Sequence, residues 1–97
     1  MNLRKTLTLS RRSEPWHIII GKYHYENDRF AEALVRLEQL IAGYGKSDST
    51  PEAIFLVGVC SYKRSHDAKP LKAAYEKLNA AFPDSEWTKR AYPYRLL

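Results

Sequence analysis

The sequence predicts an all-α fold: two antiparallel helical hairpins of one design, followed by a short capping helix. Three observations lead there. Apolar residues recur at three- and four-residue steps in several stretches, the spacing that gathers them on one face of a helix. Start and stop signals bracket those stretches, with caps, prolines and acids at their beginnings and glycine or proline beyond their ends. The connections are about three to seven residues long, short enough to favour antiparallel neighbours.

Residues 1–12 hold Arg4, Lys5, Arg11 and Arg12 and no acid, and Leu3, Leu7 and Leu9 alternate only in part with polar residues. A short strand or an irregular arm both fit that pattern, and the arm is the preferred reading. The folded domain is expected over residues 13–97, with a first hairpin at 14–45, a second at 51–83 and a capping helix at 85–92. Ser13 can cap the first helix, with Glu14 and Pro15 in its first turn, and the helix should run to Glu26. Asn27-Asp28 supplies a turn and a new cap. Phe30, Ala33, Leu34, Leu37, Leu40, Ile41 and Tyr44 then make the clearest amphipathic helix of the chain, stopped by Gly43, Gly45 and a polar run. Thr50-Pro51-Glu52 repeats the start signal and opens a third helix, which Ser65-His66-Asp67 ends. The fourth has Pro70 in its first turn, places Leu71, Ala74, Tyr75, Leu78 and Phe82 on one face, and closes at Pro83. Asp84-Ser85 caps the fifth, which carries Trp87, Arg90 and Ala91 and should break near Pro93.

Length and composition set the bounds on function. Ninety-seven residues make one small domain and exclude a multidomain enzyme. A hydrophobic fraction of 44% with 12 aromatic residues is enough for a packed interior. The net charge of +5 invites a nucleic-acid or anionic-membrane reading, but residues 13–97 carry 12 bases against 11 acids, so most of the basicity belongs to the arm. The single cysteine, Cys60, cannot form an internal disulfide and fits a reducing compartment. The longest apolar run, Ala53 to Cys60, is eight residues, whereas a bilayer span needs about 20. No apolar stretch follows the basic start as a signal peptide requires. A cytoplasmic setting is therefore expected for the chain as given, or a periplasmic one if an export signal has been removed.

Self-comparison is the most informative signal. A shift of 37 aligns Ile18 with Phe55, Ile20 with Val57, Gly21 with Gly58 and Tyr25 with Tyr62. A shift of 38 aligns Leu37 with Tyr75, Leu40 with Leu78 and Tyr44-Gly45 with Phe82-Pro83, so the second hairpin turn holds one extra residue. The pattern resembles the tetratricopeptide repeat (TPR) family over about residues 14–92. The matching features are the glycine of the first helix (Gly21, Gly58), an aromatic four residues later (Tyr25, Tyr62) and a small residue early in the second helix (Ala33). A bulky residue one turn on (Leu37, Tyr75) and the aromatic-proline ending Phe82-Pro83 match as well. Departures are Leu71 where a small residue is usual, Gly45 in place of the first proline, and a period longer than the usual 34. Phe82-Pro83-Asp84-Ser85 is most similar to repeat endings in bacterial TPR proteins of the envelope-assembly and Tol-associated type.

The resemblance implies two hairpins stacked as a short right-handed superhelix, acting as a protein-protein interaction module with a peptide or a neighbouring domain on its concave face. His17, Ile20, Gly21 and His24 would then face the second helix of their hairpin. Ile18, Lys22 and Tyr25, with Phe55, Val59, Tyr62 and Lys63, would line an apolar and aromatic groove with lysines at its edge. The fifth helix, through Trp87, could instead cover those residues. Ile18 and Val59 stand where a carboxylate clamp of the chaperone-binding kind needs polar groups, so no such clamp is expected.

Catalytic chemistry is not expected, and no cofactor or metal is assigned. The three histidines do not read as a metal site, and His17 and His24 read as packing residues. Cys60 lies in an apolar helix without a nearby base and reads as a buried thiol. No phosphate loop, nucleophile elbow or paired-acid motif is present. Two alternatives accompany the peptide-binding reading. One is nucleic-acid binding through the basic arm, with Trp16, Tyr25 and Tyr62 as stacking surfaces. The other is self-association through the apolar end of the stack, because repeats generally need about three units to bury their faces.

Overall fold

A computed structural model of the chain describes residues 16–43 and 47–97. The expected arm at 1–12, the start signal Ser13-Glu14-Pro15 and the turn residues Tyr44 and Gly45 lie outside the described residues. The described residues form α1 (residues 16–26), α2 (Phe30–Gly43), α3 (Thr50–Ser65), α4 (Lys69–Ala81), α5 (Glu86–Ala91) and a terminal 3₁₀ helix (Tyr92–Leu96), and they contain no strand.

The turn between α1 and α2 differs from the expected cap. Asp28 adopts a left-handed conformation at φ 61°. Its N–H donates to the Tyr25 carbonyl at 3.1 Å, and the Arg29 N–H donates to the His24 carbonyl at 2.8 Å. That pair of bonds is the Schellman ending of a helix, so Asp28 closes α1 rather than opening α2. A short polar side chain tolerates the left-handed region better than a branched one does. Arg29 then supplies the first acceptor of α2, to the Ala33 N–H at 2.9 Å.

The start of α3 is displaced by one residue. Ser49 precedes the helix and accepts from the Ala53 N–H through its carbonyl, while Thr50 already lies inside it. Thr50 is buried, and its hydroxyl binds back to the Ser47 N–H at 3.2 Å and the Ser47 hydroxyl at 2.9 Å. Its role is thus to pin the preceding loop. At the far end His66 takes the left-handed position at φ 59°, where the expected stop lies. The fifth helix follows the sequence reading more closely, since the Ser85 hydroxyl accepts from the Trp87 N–H at 3.1 Å. α5 ends at Ala91, near Pro93 as expected, and Pro93 enters the first turn of the 3₁₀ helix that follows, where its missing N–H costs little.

Two clusters make the core. Ile18, Ala33, Leu37, Leu40, Ala53, Leu56 and Cys60 fill the space among α1, α2 and α3. Ile54, Ala74, Leu78 and Ala91 fill that among α3, α4 and α5, and the half-buried Ile41 and Phe55 pack against both clusters. α3 is the central element, packed most extensively against α2 on one side and α4 on the other. A helix with neighbours on two sides buries residues around most of its circumference, which accounts for buried Ala53, Ile54, Leu56, Gly58 and Cys60 together.

The two glycines aligned by the 37-residue shift occupy corresponding contacts. A Cβ at Gly21 would lie 2.8 Å from Leu37 Cδ2, and one at Gly58 would lie 2.7 Å from Ala74 Cβ. Leu37 and Ala74 each follow their glycine by 16 positions. At this crossing the 37-residue register therefore persists into the second helix. The 38-residue alignment of Leu37 with Tyr75 is corrected there, because Tyr75 is only half-buried and Ala74 takes the packing position. The 38-residue register returns one turn later, where Leu40 and Leu78 are both fully buried.

Candidate functional site

The seven residues expected to line a groove divide into three groups. Ile18 is 8% exposed and belongs to the first core cluster, so no open groove begins there. Tyr25 packs against the same cluster, its ring 5.8 Å from that of Phe30. Phe55 sits between Trp87, at 5.3 Å between ring centres, and Tyr94, at 6.1 Å and nearly parallel. The capping segment thus covers the position where a ligand would have met Phe55. Aromatic pairs at these separations are favourable beyond the area that they bury.

Lys22 forms the second group. Its ammonium lies 2.9 Å from the Glu52 carboxylate, a bridge from α1 to the first turn of α3 in which the Glu52 side chain is 18% exposed. The third group, Val59, Tyr62 and Lys63, lies towards the C-terminal end of α3. Val59 is half-buried, whereas Tyr62 and Lys63 are exposed. What remains open on this face is therefore an aromatic ring beside a cation, at one end of the helix.

On the outer face of α1 the sequence reading gave a role to Trp16 alone, as a stacking surface for nucleic acid. Trp16, Ile19 and Tyr23 are 58%, 57% and 57% exposed, and their three- and four-residue steps place them in one row along the helix. The opposite side of α1 carries Ile18 into the core and Gly21 against Leu37. The signal for this second row was present in the sequence. Trp16, Ile18, Ile19, Ile20, Tyr23 and Tyr25 make the helix apolar around most of its circumference, and such a helix is normally enclosed on more than one side.

Of the histidines expected to face α2, His17 is seen to approach it. The His17 Nδ1 lies 3.5 Å from the Arg36 guanidinium, and the His24 Nδ1 is enclosed without a hydrogen-bond partner among the described residues. Cys60 is fully buried, and desolvation pushes its thiol up from 9.0 to about 11 against a smaller lowering by Lys63. A thiol held protonated at neutral pH is a poor nucleophile. Among the described residues no three His, Cys, Asp or Glu side chains converge on a common point, and no helix is long and apolar enough to cross a membrane. Comparison with protein-family models, curated proteins and solved structures finds no match to the chain.

Proposed function

We propose that the chain is a short tetratricopeptide-like stack that works as a protein-interaction module, with the outer face of α1 as its main contact surface. The observation that carries this reading is the row Trp16, Ile19 and Tyr23 on a helix whose opposite side is already core. Exposed aromatic and branched side chains at helical spacing suit an amphipathic helix laid alongside, with large rigid rings supplying contact area at low entropic cost. The stacked-hairpin architecture is supported by the equivalent approaches at Gly21 and Gly58. The concave face retains Val59, Tyr62 and Lys63 as a secondary contact, since Ile18 and Phe55 are withdrawn into the fold.

Two surface variants separate the faces. Ile19→Glu should abolish capture of the partner protein from source-cell extract while shifting stability by no more than about 0.5 kcal/mol, because the residue is exposed. Lys63→Glu should weaken capture less. Equal capture by both variants and the native chain would remove the interaction reading from these surfaces. Loss in Lys63→Glu alone would return the site to the concave face.

A further inference from the structure

A cavity of about 190 Å³ lies in the seam among α2, α3 and α4, away from both surfaces described above. Ile41, Ile54 and Val57 form much of its apolar wall, with Gly58, Pro70, Ala73 and Ala74 contributing small or rigid groups. A Cβ at Gly58 would lie 2.7 Å from the Ala74 Cβ and 3.1 Å from the Pro70 carbonyl oxygen, so α3 and α4 are in close contact along this side of the space. Two polar residues complete the lining: Ser61, which offers a hydroxyl, and Lys77, the one charged residue in the wall. Among the described residues Lys77 has no carboxylate within ion-pair distance, the two ion pairs being Lys22 with Glu52 and Arg90 with Glu86.

We propose that this seam binds a small monocarboxylate carrying an apolar ring or short chain. The space is an open cleft with Ala73 and Lys77 exposed at its rim, and its volume of about 190 Å³ gives room for a ring with a short tether. The ring would fill the space beside Ile54 and Val57, and the carboxylate would meet the Lys77 ammonium at the mouth with the Ser61 hydroxyl as a second donor. An apolar concave wall with a few polar groups is the usual composition of a small-molecule site. Charge selects the acid over its neutral or cationic analogues, while the small volume excludes long acyl chains.

The test is a titration of the isotopically labelled full chain with hydrocinnamate, followed by amide resonances. A ligand of this size should bind with a Kd on the order of 1 mM, moving the resonances of Val57, Ser61 and Ala74 first. Hydrocinnamyl alcohol should bind about fivefold more weakly, and Lys77→Gln should erase that preference, as expected for one partly solvated ion pair. Ala73→Leu, a change at an exposed rim position, should block the cavity without altering the thermal midpoint. Equal binding of the acid and the alcohol to the native chain would overturn the proposal. So would shifts mapping elsewhere, or unchanged affinity in a folded Ala73→Leu variant.

Discussion

Gly58 and Gly21 look alike in the sequence, yet they predict different costs. At Gly58 an added methyl would meet the Ala74 Cβ and, at 3.1 Å, the Pro70 carbonyl oxygen, neither of which can swing aside. At Gly21 the obstruction is Leu37, whose side chain can rotate in part. Overpacking costs about 1–3 kcal/mol, and alanine recovers about 0.5–1 kcal/mol of helix propensity. Gly58→Ala should therefore destabilise by about 1–2 kcal/mol and Gly21→Ala by less, as read from denaturant midpoints. A larger loss at Gly21 would contradict the packing described. Cys60 gives a pH signature. Its folded-state pKa of about 11 exceeds the ordinary 9.0, so between those values the folded chain keeps a proton that the unfolded chain has released. Stability from this group is complete below pH 9.0 and lost as pH rises towards about 11. Comparing unfolding at pH about 8 and about 10.5, the native chain should lose about 2 kcal/mol more than Cys60→Ala. Equal losses would mean that the thiol is not desolvated.

Among the elements, the capping segment does most to redefine the site. Trp87 and Tyr94 enclose Phe55, and the buried Thr88 hydroxyl donates to the Phe82 carbonyl, tying α5 to the end of α4. Trp87→Ala should cost about 2–3 kcal/mol, below the range for a fully buried tryptophan because the ring is only half-buried. It should also expose the Phe55 ring, checked by thermal unfolding and by the Phe55 ring resonances. An unchanged midpoint would show that α5 is not part of the core. The Lys22–Glu52 bridge ties α1 to α3 but contributes no more than about 1 kcal/mol, because the Lys22 side chain is 46% exposed. Most helices were legible in the sequence because their signals are local: Pro51 and Pro70 mark starts, and Leu71, Ala74 and Leu78 recur on one face. The misplaced caps at Asp28 and Thr50 have a physical reason. Asp and Thr favour both helix starts and turns, and the choice depends on the loop geometry around them. Burial of Ile18 and Phe55 was less legible because it depends on how α1 and α5 lie against α3.

At the scale of the whole molecule, the charge of +5 separates into a body of 12 bases and 11 acids and a basic segment at 1–12. The nearly neutral body shifts the weight of the functional reading from phosphate neutralisation to shape and apolar contact. α1 is the element on which that reading rests, since one of its faces completes the core and another presents Trp16, Ile19 and Tyr23. The sequence showed both rows, but a single chain does not reveal which row a neighbouring helix will cover. The most direct measurement places a photo-crosslinking residue at Ile19 in the full chain, with Glu76 on the exposed face of α4 as the control, and irradiates intact source cells. The account predicts one dominant protein adduct of defined mass from position 19 and none from position 76. No adduct from position 19, or the same adducts from both positions, would contradict it.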